Sequence, residues 1–348
     1  MSSDGVLEDV VIRPLHDSDA EVLIDKLPFP NCKGRLWDWQ FSGSGLSGKN
    51  QSLVLVVDNT ICGFNGVMPV NAYVNGEATR LFWSCDFALE ACYRGRGFGR
   101  ALKHHLKNLH KNEMIASLGI SDSAYQLLLT MGWVSSTVVK EFRREKFIPS
   151  LKGVVKCLIQ NWNYIFYGAI SVLTYCKRGG GEVSEQAQLP IAEEVDALWD
   201  KSKCQYEAII ARNYQYLSWK YTQHPLASSR YRYFLWRDRY GYLQSILIVR
   251  EYDGGVDIVD YLGYKKDYQG KRKLIKFVLK SFSNKKIFRV LCSDLELQNV
   301  LRSCGFYRPN NNQRFVVWDK AGNASKLDWF IMAGDSDGEL LAAARANE

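Results

Sequence analysis

The sequence predicts an α/β fold of two tandem units, each a central, mostly antiparallel mixed sheet flanked by helices. Three observations predict it. Short β-rich runs alternate with helical stripes. The order helix, strand meander, helix, strand, helix, strand occurs twice. In the first pass, a glycine-rich turn at residues 94–99 joins a strand to a helix. A chain of 348 residues is also too long for one compact core.

Taken in order, Val10-Val11-Ile12 is a short strand. Ser18-Asp19-Ala20-Glu21 has capping-box spacing before a helix striped by Leu23, Ile24 and Leu27. Residues 42–51, rich in Gly and Ser, read as a loop. Leu53 to Val57, 61–68 and 70–74 read as strands, and Asn75-Gly76 is a hairpin turn into a strand over residues 79–90. Phe98, Ala101, Leu102, His105, Leu106 and Leu109 then share one helical face. A strand at 115–118 follows, then a helix capped by Ser121 that ends at Gly132-Trp133, then a closing strand at 134–142. In the second pass a helix carries Val195, Leu198 and Trp199, and strands cover 230–236, 242–250 and 256–262. A basic helix at 271–282, a strand at 287–292, a helix from Asp294 to Gly305-Phe306 and a closing strand at 314–318 complete it. The expected division is 8–148 for the first unit, 149–188 for a connecting helix and Gly-rich linker, 189–332 for the second unit, and 333–348 for a tail.

Composition narrows the function. Hydrophobic residues make up 47% and charged residues 24%, which excludes a disordered chain. The net charge of +8 suits an anionic ligand, yet no basic run is long enough to track a nucleic acid. Nine cysteines without paired spacing read as reduced thiols in a cytoplasmic protein, with no charged-then-apolar leader at the N-terminus. The five histidines lie at no metal-site spacing, so no metal is expected. Residues 157–176 lack any charge, but Gln160, Asn161 and Asn163 make them too polar for a stable membrane span. A helix buried against the protein is the first reading of this stretch. Peripheral membrane contact through 154–176 is the second.

The chemistry-bearing stretch runs from Phe82 to Leu102. Glycines let a backbone approach a ligand closely and adopt positive φ. The free N–H groups of the next helical turn then converge on one point at the positive end of the helix dipole, which makes a pyrophosphate cradle. A P-loop would need Gly-Lys followed by Ser or Thr, which is absent. A dinucleotide fingerprint needs Gly-x-Gly-x-x-Gly, whereas Gly95, Gly97 and Gly99 are spaced by two.

Arg94-Gly95-Arg96-Gly97-Phe98-Gly99 matches Arg/Gln-x-x-Gly-x-Gly/Ala and resembles the coenzyme A signature of the GNAT superfamily of N-acyltransferases. The strand end Leu89 to Arg94 and the helix from Ser121 to Gly132-Trp133 extend the resemblance over most of residues 8–145. It implies acetyl-CoA or another acyl-CoA as co-substrate. It places the pyrophosphate on Arg94, Gly95, Arg96, Gly97, Phe98, Gly99 and Arg100, and the pantetheine arm along Phe87, Ala88 and Leu89, beside a β-bulge that opens a slot for the thioester.

Acyl transfer to an amine needs a base for the amine proton and a donor to the thioester carbonyl. Strand alternation puts Asp86, Ala88 and Glu90 on one face. Asp86 is the first candidate for base or amine anchor and Glu90 the second; either could equally be a structural ion-pair partner. The tyrosine that many relatives use as acid, four residues before the Gly-aromatic pair, is Leu128 here, with Tyr125 a turn earlier as substitute. Cys85 and Cys92 flank the site without a histidine at a telling spacing. In the second half, Tyr268 to Leu274 carries Lys and Arg in place of the glycines and implies a silent copy that helps form the acceptor pocket. Trp37-Asp38-Trp39 and Tyr214 to Tyr221 would either stack on a planar acceptor or pack helices. The expected function is N-acetyl transfer to a primary amine of a small polar acceptor, with an amino sugar or nucleotide sugar of surface-polysaccharide synthesis as first guess. The alternatives are an N-acyl amino acid synthase or Fem-like aminoacyl transferase, and a non-catalytic acyl-CoA sensor or scaffold.

Overall fold

The computed structural model describes residues 9–42, 46, 48–146, 151–174, 180–339 and 342. The first half contains β1 (Val10–Pro14), α1 (Asp19–Lys26), α2 (Lys33–Ser42), β2 (Leu53–Val57), β3 (Thr60–Val74), β4 (Glu77–Leu89), α3 (Phe98–Leu109), β5 (Met114–Leu118), α4 (Asp122–Thr130) and β6 (Val138–Glu145). Helix α5 (Leu151–Thr174) leads to the second half. That half contains β7 (Gly181–Gln186), α6 (Ala192–Ser202), β8 (Ala208–Ile210), α7 (Tyr214–Leu217), β9 (Tyr231–Asp238), β10 (Leu243–Tyr252), β11 (Gly255–Gly263), α8 (Tyr268–Ser281), β12 (Ile287–Cys292), α9 (Leu295–Ser303), β13 (Asn312–Trp318) and β14 (Trp329–Phe330).

Both halves follow one plan. An antiparallel meander (β2-β3-β4, β9-β10-β11) is followed by a crossover helix and a strand parallel to the last (β4 with β5, β11 with β12). The closing strands are exchanged between halves. β6 pairs with β12 of the second half, while β13 pairs with β5 of the first. The result is one mixed sheet among the described residues, ordered β1-β2-β3-β4-β5-β13-β6-β12-β11-β10-β9-β7, with β8 joining β3 and β14. Each half therefore completes the other's hydrogen-bond ladder, and neither can leave without exposing strand edges.

Local chemistry explains most elements. Asn75 and Gly76, at φ 51° and 86°, make the tight β3–β4 turn. The Ser121 hydroxyl accepts the Ala124 N–H at 3.3 Å and caps α4. Three expectations need correction, and one open choice is decided. Ser18 caps nothing with its side chain; Asp19 is held by Arg13 at 2.6 Å and accepts the His16 N–H at 2.8 Å. Residues 61–68 and 70–74 form one strand, β3. Of the stretch read as linker, Lys177 to Gly179 lie outside the described residues, and Gly181–Gln186 is β7, paired with β9. The aromatic clusters are core: Trp39 stacks on Trp219 at 5.1 Å, and each indole N–H donates to the other's backbone carbonyl at 3.1 Å. That reciprocal bond locks α2 to the second half rather than offering a platform to a ligand.

Candidate functional site

Strand β4 pairs with β5 only from Leu81 to Trp83. Beyond Trp83 the two strands part, because β4 carries a bulge. Phe64 faces Ala88 and Gly66 faces Cys85, so Asp86 and Phe87 together oppose Asn65. Asp86 sits at φ +47°, a conformation costly for a residue with a Cβ. The splay leaves residues 84–89 without a partner strand on the β5 side; the Ser84 carbonyl accepts the Ser117 hydroxyl at 2.7 Å, the Leu89 carbonyl accepts Arg94 at 3.0 Å, and the Asp86 backbone N–H bonds the Asp337 carboxylate.

Below this strand lies the glycine turn. Gly95 and Gly97 have φ of +77° and +88°, and a Cβ at either would meet no protein atom within 4 Å. Gly99 is glycine for another reason: its Cβ would lie 3.1 Å from the Phe87 ring. The α3 ladder starts with Ala101 N–H to the Gly97 carbonyl, so the amides of Phe98, Gly99 and Arg100 precede it. A cleft of about 490 Å³ runs from this turn to the bulge. Its wall includes Phe87, Ala88, Leu89, Arg94, Gly95, Gly97, Gly99 and Arg100, together with Ser121, Ser123, Ala124 and Leu127 of the α4 end. Arg96 and Phe98 are not in that wall; the Arg96 guanidinium lies over the Tyr93 and Phe98 rings at 5.6 and 5.2 Å. Arg94 donates to the Leu89 carbonyl at 3.0 Å and Arg100 to the Thr130 hydroxyl at 3.1 Å, so both brace the turn.

The structure separates the three carboxyl and phenol candidates. The Asp86 side chain is 4% exposed, is salt-bridged to the fully buried ammonium of Lys33, and accepts the Gln40 amide at 2.9 Å. Glu90 follows the end of β4, where the chain turns into a short 3-10 helix, so it leaves the strand pleat and meets the Cys92 thiol at 3.9 Å. Tyr125 lies under the Arg314 guanidinium at 4.9 Å and is not in the cleft wall, although Ala124 and Leu127 are. Leu128, in the position of the missing tyrosine, is buried.

A residue from the stretch read as tail completes the site. Asp337 converges with Asp86 and Cys85, with ligand atoms of all three within 4.8 Å of one another. Lys33 already supplies a cation to Asp86 at this point. The flanking acids hold Asp337 there. Asp335 is bonded by the buried Arg212 at 2.8 Å, and Glu339 by Arg250 at 2.5 Å and the Tyr231 hydroxyl at 3.2 Å. Burial first, and the Asp86 charge second, raise the Asp337 carboxyl to about 6; the nearby Lys33 cation and backbone N–H bonds work the other way. Burial, again with Asp86, pushes the Cys85 thiol well above its ordinary range, which makes it a poor nucleophile. On the α3 side, Lys103 donates to Asn65 at 2.5 Å and to Ser84 at 2.7 Å, beneath the Phe87 ring. Burial lowers its ammonium to about 7. The sequence signal for Asp337 was faint: three acids at alternating positions, 335, 337 and 339.

A second cavity, about 570 Å³, meets the site at Asp337. The first half contributes Leu118, Gly119, Glu141 and Arg143, and the second contributes Arg250, Asp257 and Arg289. Its arginines are already matched: Arg143 by Glu141, Arg250 by Asp257 and Glu339, Arg289 by Asp257. Asp337 is the surplus charge of the wall. No aromatic residue lines it among those described; Asn311, Gln313 and Ser336 add uncharged polar groups to its wall. A larger cleft of about 750 Å³ lies at the far end of β4, around Glu77 and Lys111, away from the bulge and the glycine turn.

The equivalent turn in the second half is closed by its own side chains. The Asp267 carboxylate caps α8, accepting the Gly270 N–H at 2.9 Å, and stands where an anion would sit. The buried Lys271 ammonium donates to the Lys265 carbonyl beside it.

No family model and no curated protein matches the sequence. Solved structures do resemble the folded chain. A conserved Enterococcus faecalis protein described as a probable N-acyltransferase has a TM-score of 0.63 at 12% identity, over 89% of this chain and 72% of that one. A GCN5-related N-acetyltransferase from Anabaena variabilis gives 0.61 at 10%, over 89% and 72%. Saccharomyces cerevisiae N-myristoyltransferase with bound myristoyl-CoA gives 0.54 at 11%, over 91% and 85%. At these identities the likeness is one of fold, shared with the GCN5-related N-acetyltransferase and the N-myristoyltransferase above.

Proposed function

We propose that the chain is an acyl-CoA-dependent N-acyltransferase whose chemistry sits in the first half and whose second half, catalytically silent, builds the acceptor side. The observation that carries this reading is the placement of two cavities about the β4 bulge, one lined by Phe87 and the glycine turn, the other lined by Asp337, whose carboxylate lies beside Asp86. Coenzyme A pyrophosphate would rest on the amides before the α3 ladder, and the pantetheine arm would run along residues 87–89, whose Leu89 carbonyl is already held by Arg94. The acyl group would then lie at the splay. The acceptor is a small polar amine that enters as an ammonium drawn to Asp337.

Asp337 takes one proton from that ammonium. The neutral nitrogen attacks the thioester carbonyl carbon, the C–S bond breaks, the nitrogen gives its second proton to water, and the departing thiolate takes a proton from water along the cleft. A carboxylate raised to about 6 holds a proton more readily than an ordinary one and is still mostly ionised at neutral pH. Asp86, neutralised by Lys33, holds the bulge and raises its neighbour instead of acting as base. The test is thiol release from acetyl-CoA and longer acyl-CoAs with a panel of small amines. Amine-dependent release that disappears in Gly97→Glu supports the reading. Tight acyl-CoA binding without release for any amine would support a sensor instead.

A further inference from the structure

Helix α5 is built inside out. The side chains it turns to the protein are polar: Lys156 bonds Glu145 at 2.6 Å, Gln160 accepts the Glu145 N–H at 2.9 Å, and Asn163 donates to the Phe306 carbonyl at 2.9 Å. Its outward face is largely apolar, with Leu158 64%, Trp162 66% and Ile165 66% exposed, flanked by Val155 and Phe166; Asn161 is the polar residue among them. These positions recur at helical spacing and make a continuous stripe. The expectation of a helix buried against the protein is thus reversed. A helix whose only other environment is water would carry the opposite pattern. No helix of the described residues is long and apolar enough to cross a membrane.

Charge identifies the occupant. Residues 146–181 contain five basic side chains and no Asp or Glu; one of the five, Lys156, is paired with Glu145. Neighbouring helices add more: Lys276 of α8 lies over the Tyr164 ring at 5.8 Å and Arg302 of α9 over Tyr167 at 5.4 Å. A second copy laid on this face would set like charges against each other with no acidic partner within the segment. An anionic bilayer surface supplies both an apolar layer and negative headgroups. We propose that α5 seats this protein on anionic lipid, with the Leu158–Trp162–Ile165 stripe at the acyl boundary and Lys276 and Arg302, beside Tyr164 and Tyr167, towards the headgroups.

Flotation of the full chain with vesicles tests this. Vesicles containing about 30 mol% phosphatidylglycerol should capture at least about tenfold more protein than phosphatidylcholine alone, and about 0.5 M salt should erase most of the difference. The double variant Leu158→Glu/Ile165→Glu should lose capture, and so should Trp162→Ser/Phe166→Ser, which adds no charge. These side chains are solvent-facing, so circular dichroism should remain that of the wild type. Failure of anionic vesicles to bind, or equal binding by both variants, overturns the proposal. So does a dimer that the same substitutions dissolve in the absence of vesicle binding.

Discussion

Replacing Asp337 by Asn should lower activity and raise stability together, a pairing that a merely structural carboxylate would not produce. The carboxyl is raised from 3.8 to about 6, first by burial and then by Asp86. A shift of about two units corresponds to roughly 3 kcal/mol of cost for holding the charge in the fold, which solvent reaching the half-buried group reduces to about 1–2 kcal/mol. The direction follows from proton linkage. The folded pKa lies above the unfolded one, so the cost is absent below about pH 4, accumulates as pH rises to about 6, and is constant above. The Asp337→Asn variant should therefore be more stable than wild type at pH 8, with a smaller gain at pH 5. Urea denaturation at the two pH values reads this. Loss of the base should lower kcat about 10²–10⁴-fold, and the wild-type rate should rise with pH through an apparent pKa near 6. Turnover within about threefold of wild type, or an unchanged rising limb, would refute the reasoning.

Three further outcomes are expected. Lys33→Met leaves the Asp86 carboxylate buried without its cation and should cost about 3–5 kcal/mol in urea melts, most of it restored by adding Asp86→Asn. Lys103 has a folded pKa lowered to about 7, so between about pH 7 and 10 the unfolded chain binds the proton that the fold releases. Wild type should then gain about 2 kcal/mol on Lys103→Met between pH 7 and 9, and a pH-independent gap would contradict the burial of that ammonium. Gly97→Glu, whose side chain meets no protein atom at its Cβ, should weaken coenzyme A uptake by calorimetry at least about 30-fold by placing a carboxylate at the phosphate cradle; unchanged uptake would remove the cradle from the site.

The readable parts of this protein are those whose cause lies within a few residues. The Asn75-Gly76 turn needs positive φ at two positions, the Ser121 cap needs one hydroxyl three residues before an amide, and α3 needs an apolar stripe after glycines. The glycine turn is such a feature, so the phosphate-binding candidate was visible in sequence. The tandem order of elements was visible too, because strand and helix periodicities are local.

What the sequence could not decide depends on partners distant in the chain. The exchange of β6 and β13 is invisible to periodicity, since either strand alternates equally well against β5 or β12. The pleat position that makes Asp86 a candidate base was legible, whereas Lys33, which pairs with it, reaches it only through the packing of α2. Asp337 looked like tail because Arg212 and Arg250, which clamp its neighbours, are far from it in sequence. The outward face of α5 was likewise settled by three polar side chains finding Glu145 and Phe306. Local sequence sets backbone conformation because dihedral preferences and caps act over a single turn. Charge compensation and burial act through space, so the choice of base and of the exposed face belongs to the tertiary structure.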